Sequence, residues 1–193
     1  MKKIIPQTLL TLPILATGLQ AQEKQTPPNL VFIMADQYRG DAMGCIGKEP
    51  VQTPSLDQLA AESINFTNAV SSYPVSSPAR GMLMTGMYPI SSKVTGNCNS
   101  ATAPYGVELP QDARCWSDVL KDQGYNTGYI GKWHLDAPYK PHVDTYNNRG
   151  KVAWNEWCPP ERRHGFEHWI AYGTYDYHLK PMYWNTTAPR DSF

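Results

Sequence analysis

Long apolar runs are missing from this 193-residue chain once its first 21 residues are passed. No later segment approaches the ~20 apolar residues that a membrane-crossing helix needs, so a spanning protein is not expected. Neither sign of charge dominates either, since 17 Lys and Arg stand against 17 Asp and Glu. The basic residues form no stripe, which argues against nucleic acid as a partner. Cysteine is scarce as well, with only Cys45, Cys98, Cys115 and Cys158. Their spacings do not resemble a zinc site. Four cysteines could pair in three ways, or stay free as small buried hydrophobes, and the sequence leaves both open. Internal repeats and low-complexity runs are also absent.

What is present begins with a leader. Residues 1–21 have the anatomy of an export signal: Lys2 and Lys3, an apolar stretch broken by Pro6 and Pro13, and Leu19-Gln20-Ala21 as a cleavage site. No Cys follows at once, so a lipid anchor is not expected, and the product should be periplasmic or secreted. Residues 22–193 are enough for one domain with a real core.

Along that domain the pattern alternates. Leu30-Val31-Phe32-Ile33-Met34 is a short apolar run of the kind that forms a buried parallel strand, and Ala35-Asp36-Gln37 ends it. Thr53-Pro54 is a good helix start, and Leu56, Leu59, Ala60 and Ile64 make an apolar stripe behind it. Phe66 to Val70 is expected to be the next strand. Ser117 to Gln123 has a helical look and is closed by Gly124, after which Tyr125 to Ile130 is expected to be extended. Strands alternating with helices predict an α/β domain with a doubly wound, mostly parallel sheet.

Three short stretches carry chemistry. In Ser76-Ser77-Pro78-Ala79-Arg80, the proline suits a helix's first turn and Gly86 is a stop about two turns later. Ser76 is thereby predicted at a helix N-terminus, where unpaired N–H groups and the dipole favour an anion. Arg80 can fold back from the first turn and add positive charge. Asp36 and Gln37, at the carboxyl end of the first strand, are placed to offer oxygens to a hard cation such as calcium. Gly131-Lys132-Trp133-His134 follows the later strand, where alternation would point Lys132 and His134 to one side and Trp133 to the other.

Taken together and in this order, these stretches resemble the N-terminal part of the sulfatases of the alkaline phosphatase superfamily, from Asn29 to the end of the chain. The resemblance implies that Ser76 is the precursor of formylglycine (3-oxoalanine), installed by a maturating enzyme before export. Its hydrate would be the nucleophile, and its second hydroxyl would expel sulfate, which a plain seryl sulfate cannot do. It implies Ca2+ held by Asp36, Gln37 and the residue-76 side chain, with Arg80 and Lys132 on the sulfuryl oxygens and His134 beside the nucleophile as base. The family more often has Asp-Asp where this chain has Asp36-Gln37, which removes one negative charge from the metal site. The later acidic metal pair, a further His and a second sulfate-binding Lys have no match before Phe193, so the fold is expected to be incomplete and the chain, as a truncated sulfatase, inactive by itself.

A sulfated glycan is the expected substrate. From Lys140 onward aromatics crowd the chain: Trp154, Trp157, Trp169, Tyr172, Tyr175, Tyr177, Tyr183 and Trp184. Arg162, Arg163, His164 and His178 lie among them and could meet sulfate or carboxylate groups, or the rings could simply pack the flank. Two other readings stay open: a phosphate or phosphonate esterase of the same superfamily, and an exported module that binds glycans without turning them over.

Overall fold

The computed structural model describes residues 27–175 and 177–193, so the expected leader, residues 1–21, lies outside the described residues. The chain divides between Gln37 and Tyr38 into two units. In the first, Leu30 to Met34 is exposed and belongs to no sheet, contrary to the buried strand expected there. An apolar run becomes a buried parallel strand only where neighbours pair with its edges and layers cover its faces. Among the described residues it has no ladder partner.

In the second unit, helix α1 spans Pro54–Glu62 and starts where the Thr53-Pro54 signal puts it. Thr53, however, does not cap the helix with its hydroxyl. Its Oγ1 donates to Asp57 Oδ1 at 2.8 Å and accepts from Gly44 N at 2.7 Å, while Cys45 N also donates to Asp57 Oδ1 at 2.7 Å. The 3-10 turn Gly44–Ile46 is thus tied to the helix start by polar contacts. The apolar stripe stays in solvent, with Leu56 40% and Leu59 59% exposed. Phe66 to Val70, expected as a strand, forms an exposed turn instead, because nothing among the described residues pairs with it.

From Ser77 onward the chain buries its side chains. Helix α2 spans Ser76–Thr85 and ends at Gly86, whose φ of 69° is the left-handed conformation a C-terminal stop needs and whose N–H reaches Met82 O. Gly81 lies where an added Cβ would come within 3.0 Å of Val94, so the segment after α3 (Pro89–Ser92) can lie directly on the helix. Helix α4 spans Trp116–Asp122, close to its expected place.

Strand β1 covers Gly128–Lys132, starting three residues later than expected and including Gly131 and Lys132. It pairs in parallel with β2 (His168–Tyr172), and β2 pairs antiparallel with the short β3 (Trp184–Asn185). The class is α/β, with the parallel part of the sheet represented among the described residues by one strand pair. The crossover from β1 to β2 contains no α-helix, only the 3-10 turns Tyr146–Asn148 and Pro160–Arg162. Pro138, Pro141, Pro159 and Pro160 explain this, since each removes a donor and resists a helix interior. Lys140-Pro141 is a cis peptide.

The core sits behind β1 as a knot of rings. Tyr129 stacks on Trp169 at 5.2 Å and meets Trp133 edge-on at 5.1 Å, while Trp133 meets Trp169 edge-on at 5.2 Å. Leu109, Leu135, Cys98, Cys115 and Cys158 fill in around them. All four cysteines are free thiols, Cys45 exposed and the others buried. Burial pushes the thiols of Cys98 and Cys115 up to about 12, which suits the reading of them as packing groups.

Candidate active site

Ser76 is the first residue of α2, and the preceding Val75 has no side-chain group to cap the helix. The open N-terminus is partly satisfied from elsewhere: Ser77 N donates to Asn97 Oδ1 at 3.1 Å, and Ser77 Oγ accepts from Cys98 N at 3.0 Å. These two bonds clamp the loop at Asn97 and Cys98 against the helix start. Sequence reasoning missed both partners, because a loop asparagine and a backbone amide carry no periodic signal.

The same loop holds the histidine. His134 is 2% exposed, with Nε2 at 3.1 Å from the Cys98 carbonyl and Nδ1 at 3.0 Å from Ser76 Oγ. A carbonyl only accepts, so Nε2 carries the proton in neutral imidazole and Nδ1 presents its lone pair to the serine hydroxyl. His134 sits at φ 53°, in the left-handed region. The strand alternation that would have set Lys132 and His134 side by side therefore breaks at this residue, and Trp133 and His134 are both buried.

Arg80 is 7% exposed and folds back as expected. Its Nε lies 3.4 Å from Ser76 Oγ, and its Nη1 donates to Lys132 O at 2.6 Å and lies 3.4 Å from Tyr129 OH. Tyr129 OH also donates to Lys132 O. Burial raises the Tyr129 phenol above its usual range, an effect the neighbouring arginine opposes. Lys132 thus anchors the arginine through its backbone carbonyl, and the arginine in turn lies against the serine.

The structure gathers Ser76, Arg80, His134 and the Lys132 carbonyl into one cluster. Asp36 and Gln37 are exposed and end the first unit, with Gln37 at φ 52°. They offer a carboxylate and an amide oxygen, hard donors of the kind calcium takes but fewer than the roughly six to eight it needs.

A different group of metal-capable side chains exists at Cys115, Asp118 and His164, whose ligand atoms lie within 4.8 Å of one another. Each has a structural task already. Asp118 Oδ2 accepts from Cys115 N at 2.9 Å at the start of α4, and His164 Nδ1 lies 3.1 Å from the Ala113 carbonyl. Burial holds the His164 imidazole below the usual 6.5. Arg162 and Arg163 are also committed to the fold. Arg162 pairs with Asp136 and Glu108 and donates to Leu109 O at 2.7 Å, and Arg163 donates to Cys158 O at 3.1 Å and Thr186 O at 2.8 Å.

The fold and this cluster define an α/β protein with a hydroxyl at a helix N-terminus, an imidazole on that hydroxyl and a guanidinium beside them. The chain belongs to the sulfatase family, whose family model matches residues 28–189. It is 42% identical over 185 residues to an endo-4-O-sulfatase of Bacteroides thetaiotaomicron, covering 89% of this chain and 36% of that protein. It is 39% identical over 183 residues to an ulvan-active sulfatase of Formosa agariphila, covering 94% of this chain and 32% of that protein. A crystal structure designated sulfatase YidJ from Bacteroides fragilis superposes with a TM-score of 0.86 at 91% identity, covering 91% of this chain and 38% of the other. The chain thus spans about a third of the length of the curated relatives it matches.

Proposed function

We propose that the full-length protein hydrolyses sulfate esters of a glycan, with Ser76 as the precursor of the nucleophile. The observation that carries this reading is the 3.0 Å approach of His134 Nδ1 to Ser76 Oγ, with the Arg80 guanidinium on the same oxygen, in a chain of the sulfatase family. Relatives named for 4-O-sulfate and for ulvan support a sulfated polysaccharide as the substrate class. Among the described residues no helix is long and apolar enough to cross a membrane. The leader expected at residues 1–21 supports an exported, periplasmic or secreted product.

In this reading Asp36, Gln37 and the residue-76 side chain would hold Ca2+, which would supply positive charge to the site. Oxidised to formylglycine by a maturating enzyme and hydrated, residue 76 would supply one hydroxyl whose oxygen bonds sulfur as the ester S–O bond breaks and the sugar leaves as its alcohol, and a second whose deprotonation re-forms the aldehyde as the C–O bond to sulfate breaks. His134 is the base at that second hydroxyl, with Nδ1 as the receiving atom because Nε2 is occupied by Cys98 O. Arg80 holds the nucleophile side chain from the adjacent turn and, with the Lys132 ammonium, offsets charge on the sulfuryl oxygens. The α2 N-terminus adds to this, typically ~0.3–1 kcal/mol for an anion at such a site. A single preorganised donor of this kind is worth ~10²–10³-fold in rate.

The test is release of inorganic sulfate from a 4-O-sulfated chondroitin disaccharide, followed by ion chromatography, using protein made in a maturation-competent host. Sulfate release that disappears in Ser76→Ala supports the reading. Release of phosphate from phosphate esters with none from sulfate esters would replace it with phosphoesterase chemistry.

A further inference from the structure

We infer that Trp154 is a substrate-contacting residue, its indole lying against the apolar face of the sugar whose sulfate is presented to Ser76. This rests on the sulfate-ester reading above and goes beyond it by naming the ring that recognises the sugar.

Of the six tryptophans of this chain, Trp116 and Trp169 pack against Phe166. Trp133, Trp157 and Trp184 each send Nε1 to a protein acceptor: Asp136 Oδ2 at 2.9 Å, Ala188 O at 3.2 Å and Arg190 O at 3.1 Å. Trp133 and Trp184 are 2% and 1% exposed and belong to the packing. Trp154 is half-buried, and its Nε1–H meets no acceptor among the described residues. Its ring neighbour is His134, with centroids 6.3 Å apart and planes 57° to one another. A half-buried large aromatic beside the imidazole that faces the nucleophile suits recognition of an amphipathic ring.

Its backbone is fixed on both sides. Asn148 Oδ1 accepts from the N–H groups of Trp154 and Asn155, each at 2.8 Å, and Asn148 Nδ2 donates to Val143 O and Asn155 O, also at 2.8 Å. On the other side, Ala153 N donates to Ser100 Oγ at 2.8 Å and Ser100 N donates to Ala153 O at 2.9 Å. Ser100 is two residues from Cys98, whose carbonyl holds His134. Trp154 and His134 are therefore positioned by one loop, so the indole is preorganised relative to the nucleophile, and preorganisation lowers the ordering cost of binding.

The test compares full-length wild type with Trp154→Ala and Trp154→Phe, using a 4-O-sulfated chondroitin disaccharide and inorganic sulfate as probes. Calorimetric binding and steady-state kinetics are both read. Trp154→Ala should weaken the disaccharide about tenfold, seen in Kd and KM, which is the scale of an aromatic contact. Inorganic sulfate, which has no ring to stack, should bind as it does to wild type, and Trp154→Phe should recover most of the disaccharide affinity. Unchanged disaccharide affinity in an active Trp154→Ala enzyme overturns the inference and leaves the functional reading standing. Equal weakening of both probes also overturns it, because Trp154 would then merely support the fold. A wild type that binds the disaccharide through Trp154 but releases no sulfate sinks the functional reading alone.

Discussion

Leu56 and Leu135 are the same residue treated in opposite ways, 40% exposed in helix α1 and 0% exposed just beyond the end of β1. The contrast extends to their surroundings. No residue from 38 to 75 is buried, and order there comes from polar ties among Gly44, Cys45, Thr53 and Asp57. From Ser77 onward order comes from interlocked rings and from side chains that satisfy backbone groups far away in sequence, as Arg162 and Arg163 do. An amphipathic pattern therefore fixes which face of a helix is apolar but says nothing of what covers it. The proposed chemistry is built on the covered region, where serine, histidine and arginine are each held by partners from another segment.

The largest effect that would break this contrast is catalytic. Ser76→Ala in the full-length protein should lower sulfate release by ~10³-fold or more, whereas Thr53→Ala, in the polar-tied region, should leave kcat within about threefold of wild type. Comparable losses in steady-state assays would mean that both regions serve the chemistry. Next comes Arg80→Lys, which keeps the charge but loses the fork that reaches Ser76 Oγ and Lys132 O together. It should cost ~10–100-fold in kcat by the same assay.

Stability gives a smaller and sharper contrast. Leu135→Ala should destabilise the chain by ~2–5 kcal/mol through the cavity it leaves. Leu59→Ala, in the exposed stripe, should change urea stability by less than ~0.5 kcal/mol. Equal costs would show that α1 is covered in solution.

Acid should act through the dense region too. Buried His164 takes up a proton less readily than in the unfolded chain, so at acid pH the unfolded state binds more protons. Its neutral form is compatible with the fold above the usual 6.5, and stability should fall as pH drops below that value. His164→Gln should flatten this part of a stability-versus-pH curve, measured by thermal melts. The smallest effect is chemical: under native conditions an alkylating reagent should modify Cys45 and spare Cys98, Cys115 and Cys158 until the chain unfolds.

Much of the site was legible because its signals are local. Pro78 and Gly86 bracket α2, and Ser76 and Arg80 are one turn apart on it, so neither depends on distant packing. Helix α4 and the approximate place of β1 were legible for the same reason. Asn29 to Met34 and Phe66 to Val70 were not, since strand formation depends on a neighbour that composition cannot name. The lysine–histidine alternation failed at a single left-handed residue, His134, whose buried ring meets Ser76 Oγ and the Cys98 carbonyl. Cys98 acts through a carbonyl and Lys132 anchors Arg80 through another, roles any residue type could fill. Tyr129 was hidden within a strand pattern, although its hydroxyl shares that anchor.

The central claim is that residue 76 is a modified nucleophile held by His134 and Arg80, and tandem mass spectrometry of the peptide carrying it is the most direct test. In protein from a maturation-competent host that releases sulfate, the peptide should be lighter by two hydrogens at residue 76 and should trap an aldehyde reagent there. Unmodified serine in a preparation that releases sulfate at full rate would contradict the account.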